Sequence, residues 1–286
     1  MDLNNYKKSN IHYGGSEEKI GIIIGGKQYL IKFQKETETG LVNNHICEYL
    51  GSSIIGILGE KVQATSLSTY DGRNVVACLD FNENGEEFVP FNDVGDSSLE
   101  RDRDVYQYTY DDIIKMLEEN KKITNVTETV EKFWDLYIFD ALLGNFDRHG
   151  SNWGFVRKNG KYKMAPIFDN GSCLFPRITT DEQCMKIISN EEELNKRTYK
   201  FPTSQIRLGD RKSSYFDVIS SLSFDECNKA LKRVYKKINL EKIEKFIDTV
   251  DTITCIQKEF YKTIIRYRFK NIIEYSYKKL VGENDE

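Results

Sequence analysis

The segment GNFDRHGSN, residues 144–152 of the 286-residue chain, carries the most information about the fold. It follows residues 127–143, whose apolar side chains recur at helical spacing and predict an amphipathic helix. Its polar side chains include Asp147, His149 and Asn152. A second carboxylate, Asp169 in APIFDNGS, follows an apolar triplet that is typical of a short strand. The pattern is therefore an acid, an amide five residues later, and a second acid at the end of a strand.

Phosphoryl transfer requires this combination of groups. One carboxylate accepts the proton of the attacking hydroxyl, while an amide oxygen and a second carboxylate hold Mg²⁺ against the phosphates. Asp147 is therefore the candidate catalytic base, and Asn152 and Asp169 are the candidate metal ligands. Asp and Asn also cap helices and form turns, which explains Asp147 alone better than the whole set. His149 belongs to the candidate catalytic group, where orienting the loop by hydrogen bonds is favoured over proton transfer.

A lysine lies in the middle of an apolar strand. The runs KIGIII and QYLIKFQ flank the glycines 25–26, which predicts a β-hairpin. Lys32 falls on the face opposite to Ile31, where it must find an anion or reach water. A nucleotide phosphate is such an anion, so Lys32 is a candidate for catalysis and nucleotide binding, with Glu48 as its resting partner. The alternative is an edge-strand lysine that faces solvent.

Two further segments are candidates for nucleotide binding. YGGSEEK, residues 13–19, precedes the hairpin, and paired glycines let backbone N–H groups approach phosphate oxygens. It matches no complete phosphate-loop motif, so an ordinary loop is the alternative. VVACLDF, residues 75–81, ends the small lobe, and a segment between lobes can offer its backbone to an adenine edge. A plain buried strand explains this second segment equally well.

The remaining patterns predict an α+β fold with two lobes. A small β-rich N-lobe is expected over residues 1–81 and a larger helical C-lobe over residues 82–286, with a ligand cleft between them. In the N-lobe, a helix is predicted over 41–58, and an Asp71–Gly72 turn joins strands over 61–70 and 73–81. In the C-lobe, residues 89–109 are polar and turn-rich, and residues 144–176 are irregular with short strands. The remaining predicted helices span 111–121, 224–237, 240–251 and 254–280.

Composition excludes several classes of protein. Forty-one Lys and Arg against 45 Asp and Glu give a net charge of −4, so we expect no DNA binding by the chain itself. The six cysteines form no C-x-x-C pair and are expected to be free thiols in a reducing cytosol. The longest apolar run, 20–24, is too short for a membrane span, and the N-terminus lacks a secretory pattern. A cytoplasmic location is expected, with a secreted or translocated effector kept open.

Through five ordered segments the chain resembles the HipA-like kinase family. These segments are GGSEEK, YLIKF, VVACLDF, GNFDRHGSN and APIFDNGS, and the resemblance covers roughly residues 12–176. Full-length members carry an additional N-terminal subdomain before the glycine loop, for which this sequence leaves no room, so the resemblance favours the compact, stand-alone, CtkA-like members. The D-R-H-x-x-N core also resembles phosphatidylinositol kinases, which keeps a lipid substrate open.

The resemblance implies a bilobed, protein-kinase-like fold. It also implies transfer of phosphate from ATP, with Mg²⁺, to a serine or threonine of a protein substrate. Asp147 would be the catalytic base, Asn152 and Asp169 would bind Mg²⁺, and Lys32 would contact the phosphates. An antitoxin is an implied partner, whereas Glu48 is not matched cleanly to full-length members. Further residues are implied to bind nucleotide, in the phosphate loop and at the adenine hinge: Gly14, Gly15, Ser16, Lys19, Cys78, Leu79 and Asp80.

Two other functions fit parts of the pattern. A nucleotide-binding pseudokinase would act as an interaction module, although all the catalytic residue types are present. A metal-dependent hydrolase would use Asp147, Asn152, Asp169 and His149, but it would not need a glycine loop and a strand lysine. Autophosphorylation at Ser16, Ser97 or Ser98 is a further hypothesis, because a phosphate at Ser16 would compete with ATP.

Overall fold

The computed structural model describes residues 1–11, 18–38, 40–82, 85–94, 108–208 and 211–283. Within these residues the chain forms a sheet-based N-lobe and a larger C-lobe made mostly of helices. The predicted α+β division into two lobes is therefore confirmed.

The N-lobe is built on an antiparallel sheet with the strand order β1-β2-β3-β7-β6 over the described residues. Both predicted hairpins are present, and their turns at Gly25–Gly26 and Asp71–Gly72 have the positive φ angles that such turns need. Strand β3 lies between β2 and β7, so Lys32 is on an inner strand. The elements are β1 Lys7–Lys8, β2 Lys19–Ile24, β3 Lys27–Phe33, β4 Glu36–Thr37, β5 Gly40–Leu41, α1 Asn44–Ile57, β6 Thr65–Tyr70 and β7 Arg73–Leu79.

Helix α1 begins three residues later than predicted, because residues 40–41 pair with β4 as a short strand. Its apolar side chains Ile46, Leu50 and Ile54 lie in the large apolar cluster that also contains the core of the C-lobe. The N-lobe sheet has a separate small cluster around residues such as Ile22 and Ile31. Helix α1 is therefore anchored to the C-lobe core.

The C-lobe surrounds helix α4, which ends at Gly144. Gly144 has a φ of 67°, so its left-handed conformation ends the helix and releases the next residues as a loop. The helix is buried on all sides from Phe133 to Leu143, rather than on one face as predicted, because other C-lobe elements enclose it. The elements up to this point are β8 Glu87–Pro90, α2 Phe91–Val94, α3 Tyr110–Glu119 and α4 Val126–Leu143.

The rest of the C-lobe contains several elements without a sequence prediction. Strand β8 pairs with β9, and the segment after Asp169 leads into short helices and a hairpin. The predicted helix over 254–280 is interrupted by a π-helical turn at Phe269–Glu274. The elements are β9 Gly154–Lys158, β10 Lys161–Met164, α5 Asp181–Ile188, α6 Glu191–Asn195, a π-helical turn Lys196–Lys200, β11 Thr203–Leu208, β12 Arg211–Ser214, α7 Tyr215–Ser221, α8 Asp225–Lys237, α9 Leu240–Asp248, α10 Cys255–Arg268 and α11 Tyr275–Val281.

Candidate active site

Lys32 lies at the centre of an ion-pair cluster between the lobes. Its side chain is buried, and its Nζ lies 2.9 Å from Glu48 Oε2 and 2.7 Å from Asp169 Oδ1. The solvent-facing alternative for Lys32 is thereby excluded. Three candidate side chains from separate parts of the chain thus meet here. They are Lys32 from β3, Glu48 from α1 and Asp169 from the Phe168–Asp169 segment.

The charges in this cluster reinforce one another. Burial disfavours the ammonium of Lys32, but the carboxylates of Asp169 and Glu48 outweigh it and raise the pKa of Lys32 well above its usual value. Burial likewise opposes ionisation of Asp169, but Lys32 lowers the pKa of that carboxyl below its usual value. Both groups are therefore charged at neutral pH.

Glu48 connects the lysine to the loop after Asp169. Its Oε1 accepts a hydrogen bond of 2.9 Å from the backbone N–H of Asn170, and Asn170 Nδ2 donates to Ser52 Oγ at 2.9 Å. Gly51 allows this close contact, because a Cβ there would lie 2.7 Å from Asn170 Cβ. The glycine thus lets helix α1 pack directly against the segment that carries Asp169.

The loop after α4 is held by its own polar side chains. Asn145 Nδ2 donates to Asp140 Oδ1 at 3.0 Å, and the backbone N–H of Asp147 donates to Asn145 Oδ1 at 3.0 Å. Asn152 Nδ2 donates to the carbonyl of Asp147 at 2.8 Å. The amide oxygen of Asn152 takes no part in this hydrogen bond. The predicted base and the predicted amide ligand are therefore fixed relative to each other.

Arg148 joins this loop to the Asp169 segment. Its guanidinium pairs with Asp140 at 3.0 Å and donates to the carbonyls of Asn152 and Phe168 and to Asn170 Oδ1. Burial alone would lower the pKa of Arg148, but Asp140 raises it, so the buried arginine keeps its charge. These contacts of Arg148 could not be predicted from the sequence, because an arginine in a polar loop is usually exposed and its partner Asp140 lies inside an apolar helix.

A second buried arginine, Arg268, contacts the end of α4 just before this loop. Arg268, on α10, donates from Nε to the carbonyl of Ala141 at 2.7 Å, and its guanidinium lies over the ring of Tyr215. Tyr215 donates from its hydroxyl to the carbonyl of Asn145 at 2.7 Å. Burial lowers the pKa of Arg268 to about 10, so it still carries a charge at neutral pH. Neither residue was singled out from the sequence.

His149 lies at the surface of the loop. Its Nε2 is 3.8 Å from Asp147 Oδ1, and its Nδ1 accepts a hydrogen bond of 3.2 Å from the backbone N–H of Ser151. Both side chains are partly exposed at the cleft. This geometry favours the orienting role for His149, because one ring nitrogen is already used to shape the loop.

The predicted nucleotide-binding segments differ in how far they can be described. Gly14, Gly15 and Ser16 lie outside the described residues, as do Ser97 and Ser98. Lys19 begins β2 and lies opposite Lys32 in the register of the hairpin. The positive charge of Lys19 also helps to lower the pKa of Asp169, so it acts electrostatically on the site.

The predicted adenine hinge, Cys78–Asp80, begins within β7 and ends one residue after it. Cys78 is buried, and burial raises the pKa of its thiol. The backbone N–H of Leu79 donates to Ala64 O at 2.8 Å, and that of Asp80 donates to Gln28 O at 2.9 Å. These two amides are thus used within the N-lobe, so an adenine edge would have to be read by other backbone groups of this segment.

Three phenylalanine rings from separate segments pack together beyond Asp80. The rings of Phe81 and Phe168 are 5.5 Å apart, and Phe88 lies 5.8 Å from the first and 5.0 Å from the second. All three side chains are half-buried. The sequence analysis did not identify them, because they come from separate segments.

No helix within the described residues is long and apolar enough to cross a membrane. Six cysteines are free thiols, as expected from their spacing, and five of them are buried.

The chain is similar to known proteins of one family, both in sequence and in structure. The sequence model described as HipA-like C-terminal domain matches residues 11–256. The chain is 34% identical, over 94% of its length and 84% of the relative's, to serine/threonine-protein kinase CtkA of Helicobacter pylori. The crystal structure described as a Helicobacter pylori proinflammatory kinase CtkA matches with a TM-score of 0.91 and 33% identity, covering 100% of this chain and 99% of that one.

A more distant structure shares the fold alone. It is a complex of the Shewanella oneidensis toxin–antitoxin system, containing HipA, HipB and operator DNA, with a TM-score of 0.57 and 13% identity. The match covers 93% of this chain and 67% of that one.

Proposed function

The chain belongs to the family of HipA-like C-terminal domains, and on that premise we propose that it is an ATP- and Mg²⁺-dependent serine/threonine protein kinase. The observation that carries the proposal is the 2.7 Å ion pair between Lys32 and Asp169. It brings a strand lysine and the carboxylate of Asp169 to one cleft, which also holds the Asp147–Asn152 loop. These are the parts that phosphoryl transfer uses to position and neutralise a nucleotide.

In this proposal, Lys32 and Lys19 bind the nucleotide phosphates. Glu48 holds Lys32 in position, since it accepts from both Lys32 and the amide of Asn170. The glycine loop with Gly14, Gly15 and Ser16 would cover the phosphates, and the segment Cys78–Asp80 would border the adenine. Positive charge on two adjacent strands supports the placement of the phosphates at this end of the cleft.

The side chains present fit a magnesium ion. Asp169 offers a carboxylate that is 34% exposed, and Asn152 offers an amide oxygen, while its Nδ2 is held by the carbonyl of Asp147. Among the described residues, no cluster of three His, Cys, Asp or Glu side chains surrounds a metal position. One carboxylate and one amide suit Mg²⁺, which keeps water and phosphate oxygens as its other ligands and neutralises their charge.

Asp147 is the proposed base for the acceptor hydroxyl. Its backbone is fixed on both sides, by Asn145 Oδ1 at its N–H and by Asn152 Nδ2 at its carbonyl. A carboxylate is a weak base for a hydroxyl in water, so most of the rate must come from positioning and charge neutralisation. His149, at 3.8 Å, would orient this carboxylate rather than replace it.

We propose a protein substrate that presents a serine or threonine, and a cytoplasmic location, in keeping with the buried free thiols. An antitoxin partner and autophosphorylation are expectations drawn from the resemblance.

The decisive experiment is the intact mass of the purified protein, alone and with a protein or peptide mixture, before and after incubation with ATP and Mg²⁺. Phosphate-sized gains that are absent in Asp147→Asn support the kinase. Nucleotide binding without any transfer supports a pseudokinase, and transfer confined to phosphatidylinositol vesicles supports a lipid kinase. Release of inorganic phosphate from other esters, without a nucleotide, supports a hydrolase.

A further inference from the structure

An apolar aromatic surface lies beside the loop that carries Asp147. Phe146 directly precedes Asp147, and its ring centre is 5.7 Å from that of Phe201. The ring of Phe201 is in turn 6.3 Å from that of Phe175, in the segment that follows Asp169. We call Phe146, Phe175 and Phe201 the flanking surface, because both catalytic segments contribute to it.

The exposed member of this surface is held in place. Phe201 is 47% exposed, whereas Phe175 is buried and Phe146 is half-buried. The N–H of Phe201 donates to the carbonyl of Lys196 at 2.9 Å, and Gln205 Nε2 donates to the carbonyl of Phe146 at 2.6 Å. A phenyl ring that is nearly half in water, yet anchored on its backbone, is available for a contact with another molecule.

The position of this surface follows from the role proposed for Asp147. An acceptor hydroxyl must come within about 3 Å of the base. Each further residue of an extended substrate advances about 3.3–3.6 Å, and the Cα atoms of Phe146 and Asp147 are about 3.8 Å apart. A side chain one or two positions from the acceptor is therefore long enough to span the distance from Asp147 to its neighbour Phe146, whose ring lies 5.7 Å from that of Phe201.

We propose that the flanking surface selects protein segments with an apolar side chain one or two residues from the phosphorylated serine or threonine. The inference rests on the proposed kinase function and names its substrate class. An aliphatic or aromatic side chain would remove the exposed face of Phe201 from water, whereas a charged one would lose its own water contacts there. Phe201 is the most exposed of the three rings, and a phenyl ring offers a phosphoinositide headgroup neither charge nor a hydrogen-bond donor, so the surface favours a protein over a lipid.

The test is a positional peptide library with a fixed serine or threonine, incubated with labelled ATP and Mg²⁺. Three proteins are compared: wild type, Phe201→Ala and Tyr275→Ala. Tyr275 is a matched control, because it is a 43% exposed aromatic residue on α11 that does not contact the flanking surface. Wild type and Tyr275→Ala should prefer Leu, Ile or Phe over Asp or Lys at one flanking position by about 10-fold or more. In Phe201→Ala this ratio should fall towards one.

The outcomes separate the inference from the proposed function. Peptide phosphorylation with no apolar preference, or with the same preference in Phe201→Ala, overturns the inference and leaves the kinase intact. A library that accepts no phosphate, while the protein phosphorylates itself, has the same meaning. Transfer confined to a lipid overturns both the inference and the protein-kinase proposal. If nothing is phosphorylated although Mg²⁺–ATP binds, both the kinase and the inference fail. Phe201→Leu keeps an apolar contact and should restore part of the preference.

Discussion

Lys32 Nζ and Asp169 Oδ1 lie 2.7 Å apart, although the two residues are 137 positions apart in the chain. The pair ties the N-lobe sheet to the segment that carries the predicted metal ligand. A nucleotide with its cation would offer phosphate to the lysine and positive charge to the carboxylate at the same time. Binding of the nucleotide should therefore depend on the cation, and binding of the cation on the nucleotide. The role of each site residue can be tested by measuring how its replacement changes this dependence.

Replacement of Asp147 by asparagine should abolish phosphoryl transfer and leave nucleotide binding largely intact. The amide cannot accept the hydroxyl proton, and loss of a general base costs about 10²–10⁴-fold in rate. Transfer is measured by intact mass and binding by calorimetry. Asp71→Asn, in an exposed turn whose positive φ asparagine tolerates, is the matched control. Near-normal turnover by Asp147→Asn would show that another group is the base.

Replacement of Asp169 by asparagine should remove the Mg²⁺ dependence of nucleotide binding. A neutral amide neither holds the cation as strongly nor balances Lys32, so calorimetric titrations with Mg²⁺ and with EDTA should become alike. In wild type they should differ clearly. An unchanged difference in the variant would exclude Asp169 as a metal ligand.

Replacement of Glu48 by glutamine should destabilise the protein and lower its activity. Glu48 is 1% exposed and pairs with Lys32, and removing one partner of a buried ion pair costs about 3–5 kcal/mol. Since Asp169 still pairs with the lysine, we expect about 3 kcal/mol, measured by denaturant unfolding. Glu241→Gln removes an exposed pair with Lys245 and should change stability by less than about 1 kcal/mol. Equal effects of the two variants would contradict the structural role of Glu48.

Replacement of Gly51 by alanine should lower turnover through the packing of α1. Within a helix, alanine is favoured over glycine by about 1 kcal/mol, but the new Cβ would lie 2.7 Å from Asn170 Cβ and 2.8 Å from Cys173 Sγ. Overpacking costs about 1–3 kcal/mol, so the clash should win and push α1 away from the Asp169 segment. Unfolding and turnover are compared with Ser53→Ala, which is half-buried on the same helix. A variant as stable and active as wild type would show that the packing of α1 against Asn170 does not require a glycine at position 51.

Buried His45 should make the protein less stable at acid pH. Burial lowers the pKa of His45 from 6.5 to about 4, so between these values the unfolded chain binds the proton that the folded chain refuses. Stability is then present at neutral pH and falls as the pH drops from 6.5 towards 4. Between pH 7 and pH 5 the loss is about 2 kcal/mol. Denaturant unfolding at both pH values should show this loss in wild type and a loss smaller by that amount in His45→Gln. The idea is falsified if both proteins respond equally.

Local patterns explain why much of the site could be predicted from the sequence. The strand of Lys32 is marked by the glycine turn that precedes it, and the loop of Asp147 follows a helix with clear apolar spacing. The role of Arg148 could not be predicted, because its partner Asp140 lies in an otherwise apolar helix and only the fold brings them together. Residues 181–208 and 211–221 form short elements with polar surfaces, which carry little periodicity. The flanking surface combines three phenylalanines from separate segments, so no single stretch of sequence shows it.

Helix α1 is packed into the apolar cluster of the C-lobe, whereas the N-lobe sheet keeps a small cluster of its own. Helix α1 also packs against β6 and β7. A movement that widened the cleft without carrying α1 along would slide the sheet across it, while Glu48 stayed bonded to the amide of Asn170. Lys32 travels with the sheet, so its bond to Glu48 is among the first to stretch. Release of a nucleotide and withdrawal of the phosphate-binding lysine would then be one motion, and no separate step would be needed to switch the site off between turnovers.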